Sequence, residues 1–439
     1  ESLATRYFTS RVIEHWLTEF KLDGFRWDLS KGFTQNSQCG GSTTNEACIA
    51  AYHADRVAIW KRYYDTMQLK SPGAYCILEH FADNTEEIEL SNYGMMLWGN
   101  ASFNFQEATM GYIANSNFDH LLHTTRGWTN PFLVGYMESH DEERIMYKNL
   151  QFGNTSNASH NVRDLNVALK RSEMSAAFFL TMPGPKMIWE FGELGYDNSI
   201  NRCLDGSIND SCRLTAKPIR WDYLQQVQRK RLYDIYSSLL KLKSHGWYKD
   251  VFTANNITIT RSMGSAFKWL TVRSATDSSM LCVIGNFDVL SQTGSFTFPV
   301  GGTWYDYLNG NTITASGSVQ NITLQPGEFH VYLNRNLINA VVTAVPGTAN
   351  QTNEWWSNVY PNPVVTNSVI DINVAQTGMI EISLVNQMGQ QIGTVFKGTL
   401  AKGKHSLSLP DKINNLPAGT YLLRIQAGNK ALTEKIVVQ

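Results

Sequence analysis

DGFRWDLSKGF, residues 23–33, sets two aspartates and an arginine around an otherwise apolar run of strand-forming residues. Charged groups are rarely fully buried unless paired, so the charges must gather at the end of the run and face something, or the run is not a strand. AYCILEH (74–80) ends in Glu79 and His80, and VGYMESHD (134–141) ends in His140 and Asp141. KMIWEF (186–191) is a further apolar run of the same kind. Amphipathic helical patterns near 5–20, 53–68, 165–181 and 225–244 alternate with these runs. Such alternation implies a parallel sheet with crossover helices, in a barrel or a doubly wound fold. In a (β/α)₈ barrel the C-terminal strand ends converge on one mouth, where the active site sits. Asp28, Glu79 and Asp141 then face one another, and Arg26, two residues before Asp28, points to the same side. Any one of them alone reads as an ordinary loop residue. Three in succession, each ending an apolar strand, point to a site.

The chain has 439 residues, which sets a prior of two to four domains. Hydrophobic residues at 43% and charged residues at 17% describe an ordinary globular protein. A net charge of −1 offers no basic surface for phosphates, which argues against nucleic acid as a partner. No apolar run approaches the roughly 20 residues of a membrane-spanning helix. Cys39 and Cys48 bracket CGGSTTNEAC, and Cys203 and Cys212 bracket CLDGSINDSC, two polar loops of equal spacing. Two local disulfides in an oxidising compartment are the preferred reading. The alternative is a metal site, although neither pair has a CxxC or HxxxH partner nearby. Cys76 and Cys282 lie in apolar runs and read as buried thiols.

Three zones follow from periodicity. Residues 1–246 carry the strand–helix alternation. From 249 to 335 the period changes to two, with Gly, Asn, Ser and Pro between segments, which reads as an all-β domain. A small, polar linker occupies 336–354, and 355–439 reads as a second, smaller β-sandwich. About five barrel strands can be placed, ending at Asp28, at Glu79, near Ser102–Phe105, at Ser139 and at Glu190. The fold class expected is therefore α/β: the C-terminal part of a (β/α)₈ barrel, then an all-β sandwich, then a small β-sandwich. Tyr7, Phe8, Val12, Ile13, Trp16, Leu17 and Phe20 fall at helical spacing at the very start, so residue 1 reads as a truncation point.

GFRWDLSKG, ILEH and MESHDEER, in that order, resemble the characteristic segments of the α-amylase family, glycoside hydrolase family 13. LTMPGPKMIWEFGELG resembles the family's eighth-strand segment, KPIRWDY the segment after it, and the region ending in LQPGEFHVYL the family's C-terminal β domain. The resemblance implies Asp28 as nucleophile, Glu79 as general acid/base and Asp141 as the carboxylate that stabilises the transition state. It implies substrate-site roles for Arg26 and His140, and for Lys31, although Gly32 stands where the family usually has a histidine. A solvated lysine at a helix start is the alternative for Lys31. Arg144 is expected in a structural salt bridge, and Trp98, Trp189 and Tyr136 either stack on glucose or pack the core. A retaining glycosidase needs an ionised carboxylate and a protonated carboxyl about 5–5.5 Å apart. Arg26 is expected to keep Asp28 anionic, and negative neighbours to raise the pKa of Glu79. No cofactor is expected for the chemistry. The family's first three strands and most ligands of its structural Ca²⁺ are expected to lie outside this sequence.

The tail from VYPNPVV to KIVV, with Pro361-Asn362-Pro363 and Pro417-Ala418-Gly419-Thr420-Tyr421, resembles the sorting domain of type IX secretion substrates. A carbohydrate-binding sandwich with Trp355 and Trp356 as platform is the alternative. The expected protein is a secreted or surface-attached monomer whose partners are an α-glucan and the secretion machinery. Hydrolysis of α-1,4 bonds in starch or glycogen is the leading activity. A transglycosylase on the same site, and a non-catalytic starch-binding protein, are the rivals.

Overall fold

The computed structural model describes residues 2–35, 39, 45–337, 356–360, 364, 368–374, 376–386, 389–409, 413, 416–428 and 430–438. Two compact units divide the chain, Glu1–Val341 and Val342–Gln439. Strands β1 (Gly24–Trp27), β2 (Tyr75–Leu78), β3 (Met96–Asn100), β4 (Leu133–Tyr136) and β5 (Lys186–Met187) form one parallel sheet in chain order. Helix α1 (Leu3–Thr18) precedes them, and helices α2 (Glu46–Ala50), α3 (Ala54–Lys70), α4 (Asn84–Tyr93), α5 (Ser102–Met110), α6 (Ile145–Phe152) and α7 (Leu165–Thr181) intervene. Helices α8 (Val227–Ser244) and α9 (Lys249–Thr253) complete this region.

The alternation in DGFRWD decides which residue meets which layer. Trp27 packs against Trp60 and Tyr63 of α3, with ring centroids 5.3 and 6.2 Å apart. Arg26, one residue before it, therefore points to the other face of the sheet. Gly24 opens the strand because a Cβ there would stand 2.2 Å from the Tyr75 carbonyl oxygen, on a backbone with φ 157°. The third strand ends at Asn100, short of Ser102–Phe105, which begins α5. Alternating Phe103 and Phe105 imitates a strand in sequence. The Asn100 side chain instead accepts from the Ser102 N–H at 2.9 Å and turns the chain into a helix. On α1 the periodicity predicts the helix correctly, yet among its apolar residues only Ile13 and Leu17 are buried, and Tyr7 and Phe8 are exposed.

The sandwich that follows pairs a six-stranded antiparallel sheet with a two-stranded one. The larger has the order β11 (Thr312–Ala315), β10 (Gly302–Asp306), β13 (Phe329–Leu333), β8 (Met280–Asn286), β7 (Phe267–Arg273), β6 (Thr258–Ser262). The smaller pairs β12 (Gln320–Leu324) with β9 (Gln292–Phe296). One hydrophobic core joins this sheet to the barrel strands, running from Leu78 and Leu97 through Phe178 to Val283 and Val331. Arg171, fully buried on α7, donates to the carbonyls of Ala108 and Phe287 at 2.8 and 2.5 Å and so ties both regions together.

The second unit stacks a three-stranded sheet, β14 (Trp356–Tyr360), β15 (Val369–Val374) and β18 (Gly403–Ser408), with a four-stranded one. The latter runs β17 (Gln391–Leu400), β16 (Gly378–Val385), β19 (Gly419–Ala427), β20 (Lys430–Val438). Ile370, Ile372, Ile380, Ile382, Leu423 and Ile425 fill the space between them at every second position. Pro361-Asn362-Pro363, the linker beyond residue 337, Trp355 and the side chain of Trp356 lie outside the described residues. No helix among the described residues is long and apolar enough to cross a membrane.

His123 is buried with its Nδ1 unbonded, and burial with the charge of Lys186 pushes its pKa down to about 4. The unfolded chain binds that proton near pH 6.5 and the folded one does not. Stability from this group is therefore complete above about pH 6.5 and is lost as pH falls toward 4, by up to about 1.4 kcal/mol per pH unit. Urea unfolding at intervals from pH 7 to 4.5 checks this. His123→Leu should flatten the slope, and an unchanged slope would refute it.

Candidate active site

Each strand end delivers its charge through a bent backbone. After Trp27, Asp28 leaves the sheet and Leu29 takes a left-handed conformation (φ 41°, ψ 47°). That conformation is costly for a branched side chain. It aims the Leu29 N–H at Glu79, whose Oε2 accepts at 2.8 Å. The Glu79 backbone is fixed from both sides, its N–H to Trp27 at 3.0 Å and its carbonyl from the Ser30 N–H at 2.9 Å. Phe81 and Phe191 are likewise left-handed just beyond β2 and β5.

Arg26 lies between the carboxylates. It donates from Nη1 to Asp28 Oδ1, and its Nη2 stands 3.1 Å from Glu79 Oε2. Its guanidinium covers the Trp98 ring at 3.9 Å from the centroid, which holds it in place. Trp98 is buried and packs edge-on against Tyr136 at 5.0 Å and His140 at 6.3 Å. These aromatics form the floor of the cluster. Trp98 and Tyr136 are thus core residues, while Trp189 is half-buried, 5.8 Å from the His140 ring.

The hydrogen bond from Arg26 is the largest influence on Asp28 and holds its carboxyl below the ordinary range. Slight burial opposes this, while the Arg26 charge, a hydrogen bond with Glu79 and the His140 charge reinforce it. Asp28 keeps 79% of its side chain exposed and Glu79 only 14%, so the two carboxyls sit in different surroundings. His140 Nε2 lies 3.3 Å from Asp141 Oδ2, and the Asp141 N–H donates to Ser139 Oγ at 3.0 Å. Arg213 donates to the other oxygen of Asp141.

Five of the six expected site residues thus belong to one connected cluster: Arg26, Asp28, Glu79, His140 and Asp141. Lys31 takes another direction and ion-pairs with Glu46. Arg144 is buried, donates to the Glu190 carbonyl at 3.1 Å and lies over the Tyr196 ring at 4.8 Å, a structural part.

A network under the turn escaped sequence reading. Arg56, fully buried, donates to Glu86 Oε1 and Oε2 at 2.7 and 2.8 Å. It also donates to the carbonyls of Lys31, Ile49 and Ala51, so all five donors of its guanidinium are used. Glu86 is 2.7 Å from His80 Nε2, and His80 Nδ1 is 2.8 Å from Ser30 Oγ. Burial opposes ionisation of Glu86, but the hydrogen bonds from His80, Arg56 and the His53 N–H bring its pKa down to about 2. The available signal was a charge, Arg56, inside the apolar stripe of α3.

Both expected disulfides are present, Cys39–Cys48 and Cys203–Cys212, and Cys76 and Cys282 are buried thiols. Among the described residues, the group that approaches metal-binding geometry is Cys39, Cys48 and His53. A disulfide and an imidazole do not suit Ca²⁺, which takes oxygen ligands, so no calcium role is assigned to it.

Residues 358–439 match the secretion system C-terminal sorting domain, which directs the protein to the outside of the cell or its surface. No curated protein matches the chain. Among solved structures, an Anoxybacillus alpha-amylase is 13% identical with a TM-score of 0.50, over 75% of this chain and 62% of that one. The amylase AmyP in complex with maltose is 15% identical with a TM-score of 0.54, over 79% of this chain and 70% of that one. Pullulanase from Bacillus acidopullulyticus is 15% identical with a TM-score of 0.51, over 75% and 40%. At such identities the likeness is one of fold, and the chain spans less than two thirds of the Anoxybacillus enzyme. Residues 3–251, more than half of the chain, match the alpha amylase catalytic domain, and the chain belongs to the α-amylase family of glycoside hydrolases.

Proposed function

We propose that the protein containing this chain is a secreted, retaining hydrolase of α-1,4-glucosidic bonds in starch- or glycogen-type α-glucans. The observation that carries the reading is the single guanidinium of Arg26 shared between Asp28 and Glu79 at adjacent strand ends. Asp28, kept anionic, attacks the anomeric carbon while Glu79 gives its proton to the departing glycosidic oxygen. Glu79 then takes a proton from water, which displaces Asp28 and restores both carboxyls. Asp141 balances the positive charge that develops on the sugar ring, and His140 contacts the sugar beside it. No cofactor enters these steps. Maltose bound to the structurally similar AmyP fits this substrate class. Export by the sorting domain favours hydrolysis over chain building, because polymer-building enzymes stay with an intracellular polymer.

Proton NMR of soluble starch digested by this protein should show new reducing ends, formed first as the α-anomer. The β-anomer appearing first would overturn the retaining mechanism. Redistribution of chain lengths without new reducing ends would assign transglycosylation instead.

A further inference from the structure

The segment Asp197–Lys217 carries a cation to the proposed site. Its Cys203–Cys212 disulfide closes a loop, and Arg213 is the next residue. A set of local hydrogen bonds fixes the turn that presents Arg213. Its own N–H donates to the Asp210 carbonyl at 3.2 Å, and Lys217 Nζ donates to the carbonyls of Cys212 and Thr215 at 2.9 and 2.6 Å. The start of the segment is tied to the same strand-end loop that bears Asp141. Glu143 accepts from the Ile200 N–H at 3.0 Å and from Ser199 Oγ at 2.5 Å. Anchored at its start by Glu143 and beyond its end by the Pro218 carbonyl, which accepts from Tyr196 Oη at 2.7 Å, the loop lays the Arg213 guanidinium on Asp141 Oδ1, while Oδ2 faces His140. Both oxygens of this carboxylate are therefore engaged before any sugar arrives.

We propose that Arg213 is a positioning and specificity-determining residue that occupies Asp141 in the free enzyme and yields to sugar hydroxyls on binding. This rests on the glycosidase reading of the site. The pair is suited to exchange. Both side chains are about 40% exposed (Arg213 42%, Asp141 41%), and exposed ion pairs are weak and screened by salt. The disulfide keeps the released guanidinium close by, so the loop discriminates between ligands that displace Arg213 and ligands too short to reach it.

The test compares wild type, Arg213→Gln, Arg213→Lys and the double variant Cys203→Ser/Cys212→Ser on soluble starch, at salt concentrations from 20 to 500 mM (about a fivefold change in Debye length). In wild type, KM should fall as salt rises, because salt weakens the competing pair. Arg213→Gln should lower KM by about two- to fivefold at low salt and remove its salt dependence. Arg213→Lys should retain the salt dependence. The double serine variant should move KM in the same direction as Arg213→Gln. A KM in Arg213→Gln that is raised, or that keeps the wild-type salt dependence, overturns the proposal alone. Wild-type protein without α-glucan hydrolysis overturns the reading on which it rests.

Discussion

Asp28→Asn should lower kcat on soluble starch by on the order of 10⁴-fold or more, the scale on which loss of a nucleophile acts. The amide has the shape of the carboxylate but neither its charge nor the means to form a glycosyl ester. Arg26 would then keep Glu79 as its remaining carboxylate partner at the strand ends. Fold stability should change by less than about 1 kcal/mol, since the Arg26–Asp28 pair is largely exposed on the aspartate side. Initial rates and thermal melts on the same preparation separate the two effects. Activity within tenfold of wild type would remove Asp28 from the role of nucleophile.

Glu86→Ala should be the most damaging single change to stability, costing about 3–5 kcal/mol. It strands the Arg56 charge where neither side chain has any solvent exposure. The same loss takes the carboxylate from His80, which holds Ser30, and so loosens the turn that carries Asp28. Replacing both partners, Arg56→Met with Glu86→Leu, removes the stranded charge but leaves the carbonyls of Lys31, Ile49 and Ala51 without this donor, so it should remain destabilising. Because the folded-state pKa of Glu86 is held at about 2, its contribution is complete above about pH 4.5 and is lost as pH falls toward 2. Denaturant unfolding of the three proteins decides the matter. A loss below 1 kcal/mol in Glu86→Ala would mean that water reaches Arg56.

The carboxylates were legible because each closes a short apolar run, and in a parallel sheet the ends of such runs meet. Arg26 was legible as the partner of Asp28 from a spacing of two. Its second contact, with Glu79, was not, because cross-strand register depends on the pairing of Arg26 with Ile77. Lys31 was assigned to the sugar on resemblance, yet its side chain meets Glu46, fifteen positions on in another helix. The Ser30–His80–Glu86–Arg56 network joins four separate segments, and no local pattern encodes it. The spacing of Tyr7 and Phe8 identified a helix, but periodicity reports an apolar face and not what covers it, and both side chains are exposed.

The core that runs from the barrel strands into the six-stranded sheet bears on how this chain can be cut and joined. A change of hydrophobic period near residue 249 marks a change of secondary structure, but the packing continues across it through Phe178, Phe287 and Val331. Severing the chain there would leave Arg171 facing carbonyls that no longer exist and open the flank of α7 to water. The sandwich is therefore one wall of the enzyme and not a detachable module. Residues up to Val341 should be transplanted whole, and the seam for joining a different export tail lies at the boundary between the two compact units.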